Sequence, residues 1–172
     1  MAMPTEFYVL NLLPIVYSII GFVWALALHQ RMQANAPYLT RAMLIAFSAF
    51  TAMKIAESFI GFESIAVLAP MQDLSAFKAF ISVVGGLHNA SNHAFGWYVV
   101  FLGCAVLRTH AFSLVIGWLF LLEGILLMAE RIASMLGLIS ASASVIAIVW
   151  IGIAMLRQKP PQSATSEMAA SS

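Results

Sequence analysis

Charge is what this 172-residue chain has least of: Asp, Glu, Lys and Arg together make up 9% of it, against 62% hydrophobic residues. So little charge cannot cover the surface of an ordinary soluble domain of this size, and the composition is that of an integral membrane protein. Cysteine is nearly absent too. Cys104 is alone, which excludes an internal disulfide, and its apolar setting reads as packing. A net charge of +1 and the lack of any basic run give no reason to expect nucleic acid as a partner or a polybasic lipid-binding segment. The partner that composition does imply is the lipid bilayer.

What is present is a series of apolar runs, each about long enough to cross a bilayer at about 20 residues per helix. They predict an all-α membrane bundle of about five transmembrane helices in one domain, residues 1–157, with spans near 7–28, 39–62, 87–107, 112–128 and 135–156. No Lys or Arg precedes the first run, so it reads as a retained span and not a cleaved signal peptide. Pro14 in its first half is expected to bend that helix unless the helix begins there. Asn35 and Pro37 mark the next turn. From Leu74 to Leu107 the pattern is helical for too long a stretch to be a simple span, so the third helix is expected to be long or to be broken near Gly85-Gly86, with 74–84 as a preceding helix. The tail, 158–172, is rich in Pro, Ser and Ala and reads as disordered.

Lys and Arg mark orientation, because short cytoplasmic loops are enriched in them. Arg31, Arg41, Arg108, Arg157 and Lys159 fall on one side of a five-span arrangement. The other side receives Lys78 and Arg131 with Glu6, Glu63, Asp73 and Glu130. The expectation is a multi-pass cell-membrane protein with its N-terminus outside and its C-terminus cytoplasmic.

Against this apolar background a few ionisable residues stand inside the spans. Lys54 lies 13 residues beyond Arg41, His93 lies 15 before Arg108, and Glu123 lies 12 beyond Ala111. At about 1.5 Å per residue their depths are roughly 20, 22 and 18 Å, which is nearly one level. Glu57 shares a helix face with Lys54, as Asn89 does with His93 and His88 with Asn92. An ionisable group in hydrocarbon is costly and faces a protein interior or a watery cavity. Lys54, Glu57, His88, Asn89, Asn92, His93 and Glu123 are therefore the candidate ligand-binding or proton-transfer residues, with Lys54 expected to pair with Glu57 or Glu123.

Two readings of this group stand side by side. In one, a polar pocket open to the outer face binds or moves a small solute or a proton. In the other, the charges lock helices together in a non-catalytic scaffold or accessory subunit. No nucleophile–base arrangement is visible, since Ser140, Ser142 and Ser144 lie in a small-residue stretch that reads as helix packing. No HExxH-like motif occurs, His88 and His93 point about 140° apart on a helix, and neither a metal nor a haem nor any other cofactor is expected.

The stretch Lys54-Ile55-Ala56-Glu57-Ser58 has the order basic, apolar, small, Glu, small. With Leu87-His88-Asn89, Gly96, Phe101-Leu102-Gly103, Leu107-Arg108 and Ile116-Gly117-Trp118-Leu119, it resembles a bacterial family of multi-pass membrane proteins of unknown function over about Ala52 to Leu127. This chain has Asn89 where that family's pattern has an aspartate. The resemblance implies a shared helical architecture and a role for Glu57 and His88.

Overall fold

The computed structural model describes residues 5–71 and 73–129, together with Trp150 and Ile153. Four helices follow one another: α1 (Thr5–Met32), α2 (Pro37–Met71), α3 (Leu74–Thr109) and α4 (Leu114–Ala129). Each packs on its neighbours in the chain, and α1 also touches α3. Three of them, α1 to α3, are long and apolar enough to cross a membrane, and α4 is a shorter apolar helix. The fold is thus all-α and consistent with a membrane location. The expected fifth span, 135–156, lies outside the described residues apart from Trp150 and Ile153, as do Glu130, Arg131, Ser140, Ser142, Ser144 and the tail.

Local chemistry explains where the helices stop and start. At the α1–α2 turn the Ala36 amide donates to the Met32 carbonyl at 3.0 Å, and Pro37 opens α2 at a position where its missing N–H costs nothing. Asp73 caps α3: its Oδ1 accepts from the Ser75 amide at 2.8 Å and the Ala76 amide at 3.1 Å. Its carboxyl is held below the ordinary carboxylate range, first by the Ser75 hydroxyl at 2.7 Å and then by these amides. α3 ends on His110 in the left-handed region, with φ 52° and ψ 25°, and the His110 amide donates back to the Val106 carbonyl at 2.9 Å. The Ser113 hydroxyl then accepts from the Ile116 amide at 3.4 Å and opens α4.

Two expectations about helix continuity are settled here. α1 begins at Thr5 and passes through Pro14, so the helix does not start at the proline. α3 runs unbroken through Gly85 and Gly86, so 74–84 is its first part and not a separate helix. Two interior glycines cost a helix about 1 kcal/mol each. Breaking the ladder in an apolar medium would strand N–H and C=O groups at several kcal/mol each, and continuity wins. At about 1.5 Å per residue α3 is about 54 Å long, well beyond a hydrocarbon core of about 30 Å, so it tilts or projects.

The core gathers near the Arg31 and Arg108 ends of the helices. Leu28, Met32, Met43, Tyr98, Leu102 and Val106 are almost wholly buried. Phe47 joins three helices: its ring centroid lies 4.6 Å from that of Tyr98 on α3, edge to face, and Gly21 on α1 gives it room. On the α3–α4 side, glycines bring the backbones into contact. A Cβ on Gly103 would lie 2.9 Å from the Gly117 carbonyl oxygen.

Candidate functional site

The α2–α3 hairpin positions the site. Its two helices run antiparallel from the turn at Asp73, which brings Lys54 and Glu57 level with His88, 34 and 31 residues along the chain. On α2, residues three apart share a face, and Lys54 Nζ donates to Glu57 Oε2 at 2.9 Å. Across the hairpin, His88 Nδ1 lies 2.9 Å from Glu57 Oε1 and 3.1 Å from Lys54 Nζ. The Asn92 side-chain amide, one turn along α3, lies 3.2 Å from His88 Nε2. The Lys54 and Glu57 side chains are 15% and 20% exposed, whereas that of His88 is 49% exposed. The imidazole is therefore the part of the cluster that meets the outside.

These distances set a constraint on one proton. Lys54 as an ammonium can only donate and Glu57 as a carboxylate can only accept, so Nδ1 satisfies Glu57 when it carries hydrogen and Lys54 when it does not. It cannot satisfy both at once. In the tautomer with hydrogen on Nδ1, Nε2 is free to accept from Asn92; with hydrogen on Nε2, the Asn92 amide must turn its oxygen to that nitrogen. Moving one proton therefore reorders the hydrogen bonds on both sides of the ring.

His88 and Asn92 of this cluster form part of the wall of an open groove of about 720 Å³, and Lys54 and Glu57 stand behind His88. Met53 of α2, Gly86 to Trp97 on α3, and Leu127 and Met128 of α4 border it, with His88, Asn89, Asn92 and His93 supplying its polar surface. His93 does not join Lys54 or Glu57. Its Nε2 accepts from Trp97 Nε1 at 3.3 Å, one turn along the same helix. Although their directions on the helix diverge, both histidines border the groove.

Glu123 falls elsewhere. It is 3% exposed, in the core beside the α3–α4 contact, where its charge interacts with Tyr98 and Tyr17. Of the two partners expected for Lys54, the structure gives Glu57 and adds His88. Cys104 is a free, half-buried thiol. Among the described residues no group of three His, Cys, Asp or Glu could hold a metal ion.

Sequence reasoning missed several residues. Tyr98 and Thr51 carry shielded hydroxyls, Tyr17 stands half exposed beside Lys54 at a cavity between α1 and α2, and Met53 and Met128 border the groove. One signal was available for the tyrosines. Tyr17 and Tyr98 stand in the interior of spans, away from the interfacial positions where Tyr is ordinarily found.

No family model, curated protein or solved structure matches this chain.

Proposed function

We propose that this protein binds or moves a small polar solute or protons through the groove bordered by α2, α3 and α4, with His88 as the group that takes up and releases the proton. The observation that carries this reading is the placement of His88 Nδ1, 2.9 Å from a carboxylate and 3.1 Å from an ammonium, with the rest of the ring at a groove wall. An exposed imidazole between two partly buried opposite charges is a switch whose setting alters the hydrogen bonding of the groove. The Arg31, Arg41 and Arg108 ends are assigned to the cytoplasm, which makes the groove face outward. The likeness of residues 52–127 to a bacterial multi-pass family singles out the same pair, Glu57 and His88.

The test is proton movement by the full chain reconstituted in phosphatidylcholine–phosphatidylglycerol vesicles loaded with a pH-sensitive dye. Glu57→Gln and His88→Ala are expected to lower the flux by about tenfold or more while helicity and monodispersity stay as in the wild type. Folded variants with undiminished flux would remove the groove from the mechanism.

A second reading has one observation in its favour. Lys54 and Glu57 close on each other at 2.9 Å and bind α3 through His88, which is what a purely structural clasp between helices would do. On that scaffold reading the vesicles carry no flux, and the replacements change stability alone.

A further inference from the structure

With its imidazoles neutral, the groove wall carries no charge of its own. Its polar side chains are those of His88, Asn89, Asn92 and His93, and no Asp, Glu, Lys or Arg lines it. The nearest permanent charges, Lys54 and Glu57, stand behind His88 and close on each other at 2.9 Å, so neither is left to meet a charged solute.

The four polar groups differ in what they have left to offer. His88 and Asn92 engage each other at 3.2 Å. Asn89 is exposed, and its side-chain amide has no hydrogen-bond partner among the described residues. His93 accepts from the Trp97 indole at Nε2, at 3.3 Å, so the neutral ring carries its hydrogen on Nδ1 and is a donor there. Asn89 and His93 are four residues apart and share a face of α3. Together they present an amide that both donates and accepts and an imidazole N–H that donates.

The far end of the groove is apolar. Its α3 wall runs from Gly86, where a Cβ would meet nothing within 4 Å, past this polar array to Trp97, about 16 Å further at about 1.5 Å per residue. The Trp97 indole is 44% exposed. α4 closes in at that level: Leu127 Cβ and Met128 Cγ lie 3.5 and 2.7 Å from where a Cβ on Gly96 would stand. Polar amide and imidazole thus give way to indole, leucine and thioether within one groove, whose 720 Å³ is of the size that holds a small molecule.

We propose that the solute of this groove is an uncharged amphipath, with a hydroxyl or carboxamide head held by Asn89 and His93 and an apolar body lying along Trp97, Leu127 and Met128. This names the ligand for the groove reading given above and rests on it. A head of this kind accepts from His93 Nδ1 and donates to the Asn89 oxygen, replacing the hydrogen bonds it gives up to water. A charged head would leave water with no counter-charge to meet it, and α3 is a helix long and apolar enough to cross a membrane, where an unpaired charge is costliest.

The test titrates three decyl chains that differ in head, 1-decanol, decyl sulfate and decyltrimethylammonium, into the full chain in phosphatidylcholine nanodiscs at about pH 8, where an ordinary imidazole is neutral. The ¹⁵N-labelled indole of Trp97, bonded to His93, reports the groove. That of Trp118, 65% exposed on α4 and outside the groove wall, reports partition into lipid. The expected result is a saturable shift of Trp97 with 1-decanol and none at Trp118, with binding at least about tenfold weaker for either charged head. Asn89→Ala, at an exposed helical position that Ala suits, should weaken 1-decanol about three- to tenfold.

A charged head bound as tightly as 1-decanol overturns the uncharged class and leaves the groove as a binding site. Unsaturable drift of Trp97 and Trp118 together, with every head, overturns the amphipath; the groove reading then stands if Glu57→Gln and His88→Ala lower the proton flux, and falls with it if they do not. Saturable 1-decanol binding with undiminished flux in both variants keeps the ligand and removes His88 as the proton carrier.

Discussion

Gly96 on α3 and Gly124 on α4 touch backbone to backbone: a Cβ on Gly124 would lie 2.7 Å from the Gly96 carbonyl oxygen, and one on Gly96 would lie 3.0 Å from that of Gly124. Gly103 and Gly117, seven residues away on each helix, repeat the contact. Gly124→Ala must push against the Gly96 carbonyl and the Val100 amide, 2.8 Å away, neither of which can rotate aside. The expected loss is about 1–3 kcal/mol, read as a lower melting temperature in detergent. Gly85→Ala is the control, because nothing lies within 4 Å of a Cβ there and a helix interior favours Ala by about 0.5–1 kcal/mol. It should raise the melting temperature.

Breaking the Lys54–Glu57 pair is expected to cost more than removing it. Glu57→Leu alone leaves a mostly buried ammonium facing an imidazole, with a cost of about 1–3 kcal/mol, between exposed and fully buried pairs. The double replacement by Leu should cost less than either single one. A double-mutant cycle by thermal denaturation measures the difference, and additive effects would contradict the observed contact.

Asp73 gives a pH dependence of known sign. Its carboxyl is more acidic in the folded chain than in the unfolded one, so its contribution to the α3 cap is complete above the ordinary carboxylate range and is lost as pH falls through the lower, folded value. Hydrogen exchange at the Ser75 and Ala76 amides should quicken over that acidic window. In Asp73→Asn the side chain still caps but cannot titrate, and the pH dependence should vanish.

The His93–Trp97 contact predicts a spectroscopic change. Nε2 of His93 accepts the indole N–H, so protonating that nitrogen removes the acceptor. The indole N–H resonance of Trp97 should shift on acidification in the wild type and stay fixed in His93→Gln. A shift that persists in His93→Gln would assign the change to another group.

Much of this was legible in the sequence, and what escaped it has one physical origin. Helix identity follows from apolar runs, and the Lys54–Glu57 contact follows from three-residue spacing, because both depend on neighbours along one helix. The partnership with His88 depends on how α2 and α3 slide past each other, and that is fixed by packing around Phe47 and Tyr98, which no spacing rule supplies. Depth counting placed Lys54, His93 and Glu123 at one level, but depth says nothing of the azimuth around each helix. His93 turns to Trp97 and Glu123 to the core for that reason. The glycines spaced seven apart were visible as residues, yet their pairing across helices appears only once α3 and α4 lie side by side.

The position of Arg31 has a mechanical consequence. Its guanidinium lies 5.3 Å from the centre of the Phe112 ring, fastening the end of α1 to the connection before α4, close to the buried Met32 and Ala36. At the opposite extremity, Leu74, Ile81 and Val83 of α3 are each more than half exposed. The buried core of α2 and α3 lies toward the arginines, over 36–50 and 98–106, so packing among the described residues is graded along the long axis. The groove lies between the two, so a slight rocking of the hairpin about the clamped end would change its width with little disturbance of the packed core.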